Sequence, residues 1–169
     1  MSLAKASYMV SGHSSEQMDA SRDQLSNMVT GWDVNQVKQI ADDTLHTVVA
    51  PTIYAEARDL IAHHLAAGHD VVIISASATV LVEPIAKELG VRTVIATKLE
   101  EADGKFTGNI SFYCKGAAKA EAIRTLAAQN GYNLATSYAY SDSATDLPML
   151  ETVGHPIAVN PDRAPRKIA

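Results

Sequence analysis

From Asp70 onward the chain alternates short β-branched runs with helical segments, and that alternation most narrows what it can fold into. "DVVIISAS" reads as a strand buried on both faces, "TVLVEPIAKEL" as a helix and "VRTVIAT" as a strand. "KLEEADGKFTGNI" carries Asp103-Gly104 between β-compatible flanks, a hairpin signal. "CKGAAKAEAIRTLAAQ" is rich in Ala and long straight side chains, which favour helix. "LATSYAYS" is a strand, "TDLPMLETV" a helix and "HPIAVN" a last short strand. Strands separated by helices pair in parallel through right-handed crossovers, so the fold class is α/β.

The chain before this region follows another rule. Residues 14–50 read as helices only. Asp33 can cap a helix in which Val34, Val37, Ile40, Ala41, Leu45 and Val48 share a face. Pro51 suits the first turn of the next helix, where Ile53, Ala57, Leu60, Ile61 and Leu65 recur at helical spacing until Gly68. The expected organisation is a helical segment over 1–50 and an α/β core over 51–169. The ends "MSL" and "RAPRKIA" are expected to be boundaries within a longer polypeptide.

Bulk properties exclude several classes. A formal net charge of -5 with no Lys/Arg run argues against nucleic-acid binding, which needs clustered cations. No apolar run approaches membrane-spanning length. The one cysteine, Cys114, excludes an internal disulfide framework and suits a reducing, cytoplasmic setting.

In open parallel sheets, ligands bind at the carboxyl ends of the strands, where the crossover helices begin. Ser75 ends the first strand and Asp142 ends the "SYAYSD" strand. Lys115 and Lys119 stand at the start of their helix, and Asp146 lies one turn beyond Asp142. A hydroxyl, an ammonium and two carboxylates therefore converge on one rim. Paired carboxylates invite a hard cation such as Mg²⁺, which accepts one or two carboxylates, waters and a phosphate oxygen. The hydroxyl and lysine can hold and neutralise a phosphoryl group. Plainer readings stand beside this one. Ser143-x-x-Asp146 is a good capping box with no ligand, and Ser75 alone is an ordinary strand-end turn former. His63 and His64, adjacent on a helix, read as surface residues, and Cys114 lacks a base partner.

"VVIISAS", "GAAKAEAI" and "YSDSATDLPML", in this order, resemble the haloacid dehalogenase superfamily, and within it the phosphoserine-phosphatase-like branch, subfamily IB. "LEEADGKFTG" and "VGHPIAVNPDR" are similar to that branch too. The likeness runs from about Pro51 to the end, and the earlier helices resemble the end of the helical cap these enzymes insert after their first motif. The resemblance implies a Rossmann-like parallel core and hydrolysis of a small-molecule phosphomonoester through an aspartyl-phosphate, a covalent mechanism. It implies that Ser75 bonds the phosphoryl group and that Lys119, matching the family's Gly-x-x-Lys from Gly116, stabilises the nucleophile and phosphoryl oxygens. Asp142 is implied to bind Mg²⁺, with Asp146 supporting the metal shell directly or through water.

One departure matters. The family nucleophile is the first aspartate of an Asp-x-Asp motif ending an N-terminal strand, and no such motif occurs here. Asp33-Val34-Asn35 lacks the second carboxylate and starts a helix. The nucleophile and its strand are expected upstream, and this chain alone is expected to be inactive. The strand normally lies between those carrying the serine and the metal aspartate, so the chain is expected to close that gap or to pair with another copy as a homo-oligomer. Ser-Asp-Ser, where phosphoserine phosphatases show Gly-Asp-Gly, leaves the substrate open. A non-catalytic regulatory domain of the same fold is the alternative reading, with a phospho-acceptor signalling domain ranking lower.

Overall fold

The computed structural model describes residues 15–141 and 143–159. Asp142, the expected metal ligand, and Asn160, at the end of the expected last strand, lie outside the described residues. The elements follow the alternation read above. Helices α1 (Ser15–Val29) and α2 (Val34–Thr44) lead through a π-helical turn (Leu45–Val49) and a 3₁₀ turn (Ala50–Thr52) into α3 (Ala55–Ala66). Then come β1 (Val72–Ala78), α4 (Thr79–Glu88), β2 (Thr93–Ala102), β3 (Lys105–Phe112) and α5 (Ala117–Asn130). β4 (Tyr138–Ser141), the short α6 (Leu147–Leu150) and β5 (His155–Ala158) complete the order.

Local rules explain most boundaries. The Asp33 carboxylate accepts from the Gln36 N–H at 3.0 Å and caps α2. Val34, Val37, Ala41 and Leu45 are buried, but Ile40 and Val48 are exposed. Ile40 falls well off the Val34–Ala41 stripe in α geometry, and the π turn rotates Val48 out of it. Asp103 and Gly104 both take positive φ, 53° and 74°, as the tight hairpin turn requires. Gly116, also at positive φ, precedes the first residue of α5.

β1 pairs in parallel with β2, with Val72 opposite Thr93 and Ser75 opposite Ala96. Adjacent residues of β1 point to opposite faces. Ile73 packs with Ile53 and Ala57 beside α3 and with Val82 and Ala86 of α4. Ile74 packs on the cluster of Ile123, Met149 and Leu150 from α5 and α6. The sheet is thus sandwiched between helical layers. β2 then runs on beyond β1 and pairs antiparallel with β3.

This hairpin carries the early helices. The Gly31 N–H donates to Phe106 O and the Val34 N–H to Gly104 O. The Ser26 hydroxyl donates to Gly108 O at 2.7 Å, and a side chain at Gly108 would collide with Thr30. Phe106 fills a cluster with Val29, Val34, Val37 and Val80.

The parallel sheet comes in two pieces. β4 pairs in parallel with β5, Tyr138 opposite His155, but among the described residues β1 and β4 each have a strand partner on one side only. The sequence leads one to expect that the chain closes this gap or pairs with another copy; among the described residues a cavity of about 690 Å³ lies there, walled by Ile73 and Ile74 of β1, Ala139 and Tyr140 of β4, Ile61 of α3 and Ile123 of α5. Two cross-slot hydrogen bonds join the halves, Tyr132 Oη to Asp70 Oδ2 at 2.6 Å and His64 Nε2 to Tyr140 Oη at 2.8 Å. Among the described residues no helix is long and apolar enough to cross a membrane.

Phe106 is 3% exposed and joins the hairpin to α1 and α2. Phe106→Ala is expected to destabilise the chain by about 3–5 kcal/mol, as buried Phe truncations do. Urea unfolding followed by circular dichroism measures this; a loss under about 1 kcal/mol, in the range of surface substitutions, would show that the hairpin does not carry the helices.

Candidate active site

Three short segments meet at the carboxyl end of β1 and β4. Lys119 lies in the first turn of α5 and is 3% exposed, so its ammonium has left water and needs a partner. It donates to Asp146 Oδ1 at 2.7 Å, and Asp146 is buried to the same degree. The other carboxylate oxygen, Oδ2, accepts from the Ser141 hydroxyl at 2.6 Å. Ser141, the last residue of β4, is fully buried, and its Oγ also accepts from the Ser143 N–H.

Asp146 therefore does not serve as a capping box. Ser143 accepts from the Thr145 N–H at 3.1 Å in a local turn, and the Asp146 side chain turns inward to Lys119. A carboxylate facing a buried ammonium gains more there than at an exposed helix start.

Ser75 is fully buried within β1, not at its end, because the strand continues to Ala78 through an irregular stretch. Its Oγ accepts from the Ser77 N–H at 3.0 Å. The irregularity is pinned by Thr97 on β2, whose hydroxyl donates to Ala76 O at 2.6 Å and accepts from the Cys114 N–H at 3.1 Å. Cys114 joins the groups together. Its thiol is pushed up to about 11, chiefly by burial and further by the Asp146 charge. Lys119 and the Ser75 N–H act on it in the opposite sense. Ser75, Lys119 and Asp146 are all buried and Lys119 pairs with Asp146, while Asp142, which follows Ser141 in sequence, lies outside the described residues. Cys114 is not an activated thiol.

Thr97 and Ser141 carry no motif of their own. Ser141 had a signal in its position, the last strand residue before the acidic turn. Thr97 had none, because a threonine within "VIAT" looks like any β-branched strand residue.

At the rim's outer side, Asp19 of α1 accepts from Tyr113 Oη at 2.6 Å and Lys115 Nζ at 2.8 Å. These bonds, that from Lys115 first, hold the Asp19 carboxyl below the usual range. Lys115 thus ties the early helices to the core, and Lys119 is the buried lysine of the locus. Among the described residues no three His, Cys, Asp or Glu side chains form a metal-holding group.

The fold is a layered α/β one whose strand ends carry a buried lysine–carboxylate pair with a serine hydroxyl on the carboxylate. The family model described as haloacid dehalogenase-like hydrolase matches residues 3–151, and the chain belongs to that family. A probable phosphatase of Mycobacterium tuberculosis is 54% identical over 168 residues, covering 99% of this chain and 58% of the relative. A phosphoserine phosphatase of the same organism is 34% identical, covering 98% of this chain and 54% of the relative. The chain thus spans little more than half the length of these relatives. A solved structure of a Bordetella pertussis protein of unknown function superposes with a TM-score of 0.77 at 30% identity, covering 91% of this chain and 70% of that one.

Removing one member of the buried pair leaves the other charged and dry. Asp146→Ala is expected to cost about 3–5 kcal/mol, and Lys119→Met with Asp146→Leu together much less than the sum of the single changes. A double-mutant cycle in urea checks this; additive effects would mean that the pair is not coupled. Native Cys114 is expected to resist thiol reagents at pH 8 and to react once the chain is unfolded, because its thiolate is scarce. Rapid labelling of the folded chain would contradict its burial.

Proposed function

We propose that this chain forms the phosphoryl-binding half of a phosphomonoester hydrolase. The observation that carries the reading is the Lys119 ammonium, buried on Asp146 at the sheet rim beside Ser75 in a chain of this family. An ammonium fixed there stabilises the negative charge that gathers on a phosphoryl group in transfer, without reorganising as the reaction proceeds. Asp146 orients it, and Ser141 orients Asp146. Ser75 accepts a backbone N–H, so its hydroxyl proton remains available for a phosphoryl oxygen.

Magnesium is the cofactor that suits this donor set. Asp142 would hold it, with Asp146 supporting its shell through lone pairs not used by Lys119 and Ser141; one or two carboxylates suffice when waters and a phosphate oxygen complete the set. When bound, it supplies further neutralisation of phosphoryl charge.

The attacking group is a different matter. Asp146 is engaged by Lys119 and Ser141 and is not poised to attack phosphorus. The family-type nucleophile is an aspartate at the end of a strand, and the slot between β1 and β4 has the place and the apolar walls for such a strand. There its carboxylate oxygen would displace the alcohol from phosphorus, giving an aspartyl-phosphate that water then hydrolyses. Helices α1 and α2, of which α1 reaches Lys115 through Asp19, would act as the cap that selects the alcohol.

Hydrolysis of p-nitrophenyl phosphate with magnesium, measured for the 169-residue chain and for a longer chain carrying an Asp-x-Asp strand upstream, tests the proposal. The longer chain is expected to turn over, the shorter to fall on the order of a millionfold lower, the scale of losing a nucleophile. Lys119→Met in the longer chain is expected to lower kcat more than KM. Robust turnover by the 169-residue chain, abolished by Asp142→Asn, would falsify the assignment of the attacking group. A longer chain inactive on a range of phosphomonoesters would favour the regulatory reading.

A further inference from the structure

His64 and His69 meet at the end of the slot away from Lys119 and Asp146. Their Nδ1 atoms are 2.9 Å apart and the ring centroids 5.2 Å. The centroid separation exceeds the nitrogen separation by about two ring radii, so the nitrogens face each other head-on. One proton fits that contact, with one nitrogen donating and the other accepting. A metal ion does not fit, since no room remains between the nitrogens.

The other nitrogen of His64 is occupied too, with Nε2 at 2.8 Å from Tyr140 Oη on β4. Whichever way that bond runs, the His64–His69 contact carries one proton. If Tyr140 donates, His64 Nδ1 bears the hydrogen; if Tyr140 accepts, His69 Nδ1 bears it. His64 belongs to the last turn of α3, which packs with β1, whereas Tyr140 belongs to the β4–β5 sheet. The bond from His64 to Tyr140 therefore spans two sheets that share no strand hydrogen bond among the described residues, whereas the His64–His69 contact lies on the β1 side.

We propose that His64 and His69 form a one-proton clasp that fixes the His64 ring, and with it the bond from His64 to Tyr140 across the slot, and that a second proton opens the His64–His69 contact and loosens that bond.

The surroundings favour the single-proton form. His63 lies edge-on to His64 at 5.9 Å on α3, and Tyr138 of β4 approaches His64 at 5.3 Å and stacks on His69 and on His155 of β5. Asp70, the nearest carboxylate in this stretch of chain, is engaged by Tyr132. Burial, and then the neighbouring His69 and His63, hold His64 below the ordinary histidine value of 6.5. Burial, then Tyr138, raises Tyr140, so its hydroxyl stays protonated throughout this range. The sign follows from linkage. A base whose folded value is depressed binds fewer protons folded than unfolded. Its stabilisation is full above 6.5 and is lost as pH falls through the ordinary histidine range toward the lower folded value.

The test uses the whole 169-residue chain. Hydrogen exchange over residues 138–141, corrected for intrinsic rates, is compared at pH 7.5 and 5.5, and ¹⁵N-histidine NMR follows each imidazole. The clasp predicts that exchange at these amides accelerates on acidification beyond the intrinsic rate change. It also predicts that His64 titrates below the ordinary histidine value of 6.5. His69→Gln, at an exposed turn, is expected to remove the acceleration and let His64 titrate closer to 6.5. Tyr140→Phe is expected to speed exchange at both pH values. Equal acceleration in wild type and His69→Gln, or titration of wild-type His64 at 6.5 or above, overturns the proposal. Because NMR reads the wild type directly, the outcome stands even if a variant fails to fold.

Discussion

The bond between Lys119 and Asp146 organises everything around it. An ammonium at 3% exposure is tolerable only with a fixed counter-charge, and the counter-charge is tolerable only with its second oxygen bonded as well. Ser141 supplies that bond from the end of β4, Lys119 comes from α5, and Asp146 opens α6. Three elements separated along the chain are thereby held at one point. The same requirement explains why Asp146, which could have capped a helix, turns inward.

The divided sheet sets the second constraint. Parallel strands ordinarily lie between partners, because their backbone groups need them. Here β1 and β4 face each other across an apolar cavity whose size lies within the roughly 300–1,000 Å³ of ordinary ligand pockets. Its walls are two strand edges and two helix faces, which suits a strand better than a compact small molecule. The halves keep their relative position through Ile74 on the Ile123–Met149 cluster and through side-chain hydrogen bonds at the slot's edge.

The fold was legible because its signals are local. β-branched runs, Asp103-Gly104 and the Asp33 cap act within a few residues, and the structure carries each as read. The nearness of Lys119 and Asp146 was legible from topology, since strand ends and helix starts share an edge, whereas Ser75, read at a strand end, lies within β1. Three features were not. Val48 leaves its expected face because a π turn intervenes, and nothing in the residue pattern announces one. Thr97 acts by linking β1 to the segment before α5, a relation that exists only after folding. His64 read as a surface residue because adjacent histidines on a helix do point apart; His63 stays exposed, while its neighbour finds Tyr140, 76 positions away.

β2 performs two tasks along one stretch of backbone. Its first half lies beside β1 and holds Thr97, whose hydroxyl fixes both the irregular turn after Ser75 and the Cys114 amide. Its second half leaves the sheet and forms the hairpin on which α1 and α2 rest. The strand is ten residues long, about 33 Å at ordinary strand rise, and its pairing register shifts between Lys98 and Glu101, where the two halves meet. One run of backbone thus joins the support of the early helices to the hydroxyl that pins the irregular stretch of β1, so the two cannot be built independently.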